Sequence, residues 1–117
     1  MKKINLAISG CMGRMGQQLI RSAKKNNNFK LVSLTENRLI NRRFNGIKPE
    51  FNSVKAFKKI DVIIDFTIPE CTMEILKIAS ILKKKVVIGT TGFSRIQESQ
   101  IKKYSKNPVK IYLYSFF

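Results

Sequence analysis

Three glycines fall within seven residues, Gly10-Cys11-Met12-Gly13-Arg14-Met15-Gly16, where a short apolar run ends and a helical pattern begins. Glycines at that spacing serve anion chemistry. The turn is tight, a phosphate must approach the backbone closely, and the first turn of the helix supplies amide donors and about half a positive charge. Glu36 lies 20 residues beyond Gly16, at the end of the next apolar run, where a carboxylate can hold the hydroxyls of a ribose. Together they predict a site for a nicotinamide dinucleotide; glycines in a plain tight turn are the simpler alternative.

The other residues around this pattern leave the cofactor open between NADPH and NADH. Glu36 disfavours a 2'-phosphate, whereas Arg38, with Arg42 and Arg43 nearby, would pair with one. Arg14, in the first helical turn, is a candidate to fold over the pyrophosphate, or simply an exposed arginine. The chain has no histidine, so imidazole acid/base chemistry and histidine metal ligation are absent from it. No residue is assigned as catalytic and none as a metal ligand.

The elements that must position these groups follow from periodicity. Residues 3–9 read as a strand buried on both faces. From Arg14 to Lys25 the apolar residues Met15, Leu19, Ile20 and Ala23 recur at three- and four-residue spacing, which predicts an amphipathic helix stopped by Asn26-Asn27-Asn28. Residues 29–35 are a second strand, 36–53 an irregular loop and 60–67 a third strand. Thr67-Ile68-Pro69-Glu70 has the form of a capping box, with Thr67 as N-cap and Glu70 reaching back, opening a helix whose stripe is Ile75, Ile78, Ala79 and Leu82. Residues 85–89 are a fourth strand. Ser94-Arg95-Ile96-Gln97 is a second capping box, opening a helix to about Lys106, and 109–114 is a fifth strand.

Strands alternating with helices predict an α/β domain, a Rossmann-like doubly wound parallel sheet. In such sheets ligands bind beyond the carboxyl ends of the strands. Phe66 and Thr67 at the end of the third strand, and Gly89, Thr90 and Thr91 at the end of the fourth and just beyond, would therefore border the same crevice as the glycine turn and suit the nicotinamide half; turn and cap chemistry is their plainer reading.

A chain of 117 residues allows one domain with a real core. Its 23 Lys and Arg against 7 Asp and Glu give a net charge of +16, a field that attracts anions. Most of the basic residues are lysines scattered over every element, with no basic face interleaved with aromatics, so nucleic acid is not the expected partner. No apolar run approaches a membrane span. Cys11 and Cys71 form no C-x-x-C pair, which suits reduced thiols in the cytoplasm.

Three strings carry a more specific likeness: SGCMGRMG at 9–16, DFTIPE at 65–70 and VIGTTGF at 87–93. In this order and spacing they resemble the N-terminal domain of the 4-hydroxy-tetrahydrodipicolinate reductase family, formerly dihydrodipicolinate reductase, over about residues 3–113. The resemblance implies an NAD(P)H-dependent oxidoreductase of the diaminopimelate route to lysine, passing hydride to a cyclic unsaturated dicarboxylate. By position, Gly10, Cys11, Met12, Gly13, Arg14, Met15 and Gly16 would take the pyrophosphate and Glu36 the adenosine ribose. Phe66, Thr67, Gly89, Thr90 and Thr91 would take the nicotinamide half. In the family an arginine for the 2'-phosphate often follows the ribose-binding acid; here Asn37 stands first and Arg38 second.

Members of that family continue into a substrate domain with an acid histidine and a substrate-binding lysine, through which a homotetramer is largely built. This sequence ends at Phe117 near the close of its fifth strand. Residues 1–117 are expected to be a cofactor-binding domain without the substrate domain and inactive by themselves, with the aromatic tail from Tyr112 to Phe117 prone to aggregation. A stand-alone dinucleotide-binding or redox-sensing module is the alternative.

Overall fold

The computed structural model describes residues 2–106 and 109–113. Nine elements follow one another: β1 (Ile4–Ser9), α1 (Arg14–Lys25), β2 (Phe29–Thr35), α2 (Val54–Phe57), β3 (Val62–Asp65), α3 (Pro69–Leu82), β4 (Lys85–Ile88), α4 (Arg95–Lys106) and β5 (Ile111–Leu113). The five strands are all parallel, in the order β2-β1-β3-β4-β5. The chain leaves β1 towards β2 on one side and towards β3, β4 and β5 on the other. A crevice therefore opens between the carboxyl ends of β1 and β3, the switch point of a doubly wound sheet.

Burial on both faces explains why the central stretches of β1, β3 and β4, residues 6–8, 62–64 and 86–88, are apolar rather than alternating. Ala7 and Ile8 are adjacent, so they point to opposite faces, and each is fully buried in a different cluster. Ile8 packs with Leu34 and with Ile20 of α1. Ala7 belongs to the cluster built from Ile63, Val86, Phe57 of α2, Ile75, Leu76 and Ala79 of α3, and Ile101 of α4. Each large side chain removed from water this way contributes about 1.5–3 kcal/mol.

Register puts the strand ends at one level. Ser9 lies beside Thr35 on one side and Asp65 on the other, and Asp65 lies beside Ile88. Three polar residues thus sit buried in a row at the carboxyl edge of the sheet. The Thr35 hydroxyl donates to Ser9 Oγ at 2.8 Å, and the Ser9 hydroxyl donates to Asn52 Oδ1 at 3.1 Å, pinning the 36–53 loop to the sheet.

Several expectations are corrected in detail. The third strand is shorter than 60–67, because Asp61 turns its carboxylate to the Asn5 amide at 2.8 Å, and the ladder with β1 begins at Val62. The Thr67/Glu70 capping box does not form. Ile68 is the N-cap of α3 and supplies no side-chain bond, while the Thr67 hydroxyl donates to Asp65 instead. The Ser94/Gln97 box does form: the Ser94 amide donates to Gln97 Oε1 at 2.8 Å and the Gln97 amide to Ser94 Oγ at 3.1 Å. Helix α2 is an addition, one turn capped by Ser53 Oγ accepting the Ala56 amide at 3.0 Å. The fifth strand runs Ile111–Leu113; Tyr114, Phe116 and Phe117 of the expected strand end and aromatic tail lie outside the described residues.

Candidate dinucleotide site

The glycine turn is built by its neighbours' backbone. Thr35 O accepts the amides of Gly10 at 3.0 Å and Cys11 at 3.3 Å, and Gly10 O accepts the Gly13 amide at 3.1 Å. Gly10 takes φ +82, and a Cβ there would lie 2.2 Å from Phe66 O, so only glycine fits. A Cβ on Gly16 would lie 2.1 Å from Gly10 O, which is why the first turn of α1 can close so tightly under the loop. Gly13 differs. Among the described residues a Cβ here would meet only Gly10 O, at an ordinary 3.5 Å, so these residues leave the space over Gly13 open.

Helix α1 begins at Gly13 without a side-chain cap and without an acidic residue in its first turn. Within the helix itself nothing neutralises these amides or the positive end of the dipole, which favours anion binding. Arg14 is exposed at its first position and Met15 half-buried. Among the expected pyrophosphate residues Cys11 is wholly buried, and burial pushes its thiol up to about 11, with Glu36 adding to the rise. Cys11 contributes backbone and packing rather than thiolate chemistry.

Glu36 follows β2 and reaches across to the turn. Its Oε2 accepts the Met12 amide at 3.0 Å and its Oε1 accepts the Asn37 amide at 3.0 Å. Each oxygen keeps a further lone pair. Glu36 also lines a cleft of about 200 Å³ together with Gly10, Gly13, Phe66, Thr67 and Cys71. The two segments expected to face one ligand therefore do meet at the β1/β3 switch point.

On the far rim, the Phe66 ring lies against Gly89, where a Cβ would come within 2.2 Å of the ring. Thr90 is buried and its Oγ1 accepts the Thr67 amide at 2.8 Å, whereas Thr91 is exposed in the following turn. The basic cluster is divided. Arg42 stacks over the Phe44 ring at 4.4 Å from its centroid and Arg43 donates to Gly46 O at 3.1 Å, so both serve their own loop. Arg38 instead borders a separate recess of about 360 Å³ with Lys48, Lys55 and Glu50, and its charge reaches the Cys11 thiol. A larger groove of about 610 Å³ runs between α3 and α4, with no residue from the strand ends.

Two residues of this region escape a reading of the sequence. Cys71 gives no signal, because its place in the cleft depends on how α3 sets down. Asp65 does give one: a lone acid at the end of the apolar run VIID, followed by threonines two and seven positions on.

The profile of the family described as dihydrodipicolinate reductase, N-terminus, matches residues 4–115. The chain belongs to that family. The 4-hydroxy-tetrahydrodipicolinate reductase of Pelagibacter ubique (strain HTCC1062) is 67% identical over 106 residues, covering 91% of this chain and 41% of that protein. The enzyme of the same name from Bdellovibrio bacteriovorus is 39% identical over 91% of this chain and 42% of its own length. The dipicolinate-bound dihydrodipicolinate reductase from Paenisporosarcina sp. TG-14 superposes with a TM-score of 0.78 at 26% identity, over 96% of this chain and 47% of that one. The chain thus spans less than half the length of these reductases and matches their N-terminal part, in a family of NAD(P)H-dependent oxidoreductases.

Proposed function

We propose that these residues form the nicotinamide dinucleotide-binding part of a 4-hydroxy-tetrahydrodipicolinate reductase. The observation that carries this reading is the junction of Glu36 with the glycine turn, over an uncapped α1 terminus and an open Gly13. The backbone from Gly10 to Gly16 would hold the pyrophosphate, with Arg14 over it, and the Glu36 carboxylate the adenosine ribose. Phe66, Thr67, Gly89, Thr90 and Thr91 would seat the nicotinamide half. The cofactor, when bound, supplies a hydride. Its acceptor would be the cyclic unsaturated dicarboxylate of the diaminopimelate route, held and protonated by groups other than those of residues 1–117, which contain no histidine. By themselves these residues would bind cofactor without turnover. The cytoplasm is the proposed compartment, in keeping with two free cysteines.

Both cofactors suit the site, with NADPH favoured by Arg38. The test is titration of the chain with NADH and NADPH, following nicotinamide fluorescence. Arg38→Ala should weaken NADPH by about tenfold and leave NADH within about twofold. Equal losses for the two would remove Arg38 from the 2'-phosphate, and binding of neither cofactor would refute the reading.

A further inference from the structure

Asp65 ends β3 fully buried, at the point where the sheet meets the cleft. Its two carboxylate oxygens collect three hydroxyls from three different segments. The Thr67 hydroxyl, in the β3–α3 connection, donates to Oδ1 at 2.5 Å; the Thr72 hydroxyl, on α3, donates to Oδ2; the Thr90 hydroxyl, after β4, donates to Oδ2 at 3.2 Å. Thr90 Oγ1 simultaneously accepts the Thr67 amide. A carboxylate buried without donors would be prohibitively costly, and the three hydroxyls offset that cost.

The arrangement has a directional consequence. A hydroxyl has one proton, and an ionised carboxylate only accepts. Each hydroxyl proton that points at Asp65 is unavailable elsewhere, so the Thr67 oxygen offers its surroundings lone pairs only. Ile68 O, 3.2 Å from Thr67 Oγ1, would otherwise compete for that proton. Thr67 lines the cleft, beside the Phe66 ring seated on Gly89.

We propose that Asp65 is a positioning residue that fixes the Thr67 hydroxyl as an obligate acceptor and thereby selects a ligand presenting an N–H donor, the carboxamide of a nicotinamide, over one presenting a carboxylate. This inference rests on the dinucleotide reading and adds to it the polarity of the nicotinamide rim. Asparagine at position 65 can donate to the Thr67 oxygen and let that hydroxyl reverse.

The experiment compares NAD⁺, its deamidated analogue nicotinic acid adenine dinucleotide, and ADP-ribose, which lacks the pyridine ring, on the wild-type chain, Asp65→Asn and Thr67→Val. The wild type should prefer NAD⁺ over the deamidated analogue by about tenfold or more, and both variants should bring that ratio to within about threefold while binding ADP-ribose as before. In the ligand-free chain, hydrogen exchange at the Thr67 amide should accelerate in Asp65→Asn. An unchanged ratio in both variants overturns the proposal, as does an equal loss for all three ligands, which would mark Asp65 as merely structural. If Asp65→Asn does not fold, the ratio in Thr67→Val decides. If the wild type binds none of the three, the dinucleotide reading itself falls and this inference with it; if it binds them without discrimination, only the inference falls.

Discussion

Glu36 Oε2 accepts the Met12 amide at 3.0 Å, joining the end of β2 to the glycine turn across 24 positions of chain. One carboxylate thus holds the loop in shape and, in the proposed reading, also takes the ribose. Replacing Glu36 by Ala removes both effects, and a hydrogen bond to a charged group is worth about 1.5–3 kcal/mol. The expected result is an NADH affinity about tenfold or more below wild type, with a smaller loss for NADPH, whose 2'-phosphate is relieved of a nearby anion. Isothermal titration with both cofactors measures the two losses; a larger loss for NADPH would contradict the assignment.

Asp65 predicts a specific pH dependence. Burial holds its carboxyl above the ordinary value, and the hydrogen bonds from Thr67, Thr72 and Thr90 only partly counter this. The folded chain therefore keeps this proton to higher pH than the unfolded chain, whose aspartates titrate near about 3.9. The contribution of Asp65 to stability is greatest below that value, falls as the pH rises through the folded value, and is level above it. Urea unfolding of the wild type and Asp65→Asn across this range should show the stability difference, wild type minus variant, declining with pH. A difference that grows with pH would mean a carboxyl held below its ordinary value.

How much was legible in advance depended on how local the cause was. Helix α1 and strand β2 follow from periodicity and from the asparagines between them, and their bounds agree with the pattern. The two capping boxes have the same sequence form but different fates. Ser94 Oγ is engaged by the Gln97 amide as the box requires, whereas the hydroxyl of Thr67 is taken by a carboxylate that the strand end brings beside it. Helix α2 is a single turn, too short for a period to show. The pairing of Thr35 with Glu50, which folds the 36–53 loop back along β2, joins positions no window connects. The glycine turn and Glu36 stand out in the sequence because dinucleotide chemistry needs fixed spacing; Asp65 and Cys71 come beside them only through the register of β3 and the placement of α3.

Cys71 offers a probe that needs no substitution. It is half-buried on the cleft, while Cys11 is wholly enclosed and its thiol is pushed up to about 11. Burial also raises the Cys71 thiol, so labelling by iodoacetamide should be slow at neutral pH, with Cys71 modified before Cys11. Saturating NADPH should slow labelling of Cys71 by about fivefold or more through steric cover. Peptide mapping reads both sites, and a Cys71 rate indifferent to the cofactor would place the ligand elsewhere.

If a dinucleotide's pyrophosphate sits over the open face of Gly13, as proposed, Gly13→Ala should block it without disturbing the fold. Among the described residues a Cβ there meets only Gly10 O, at 3.5 Å, and Gly13 sits at φ -72, so the variant should fold with a melting temperature within about 5 °C of wild type. In Gly16→Ala, by contrast, the Cβ would collide with Gly10 O at 2.1 Å, and the chain should lose several kcal/mol, on the order of 3 or more. The measurement is NADH and NADPH affinity of folded Gly13→Ala beside wild type. The wild type should bind both, and the variant should lose at least about tenfold in affinity for each; equal affinity in the two proteins would rule out a pyrophosphate over Gly13.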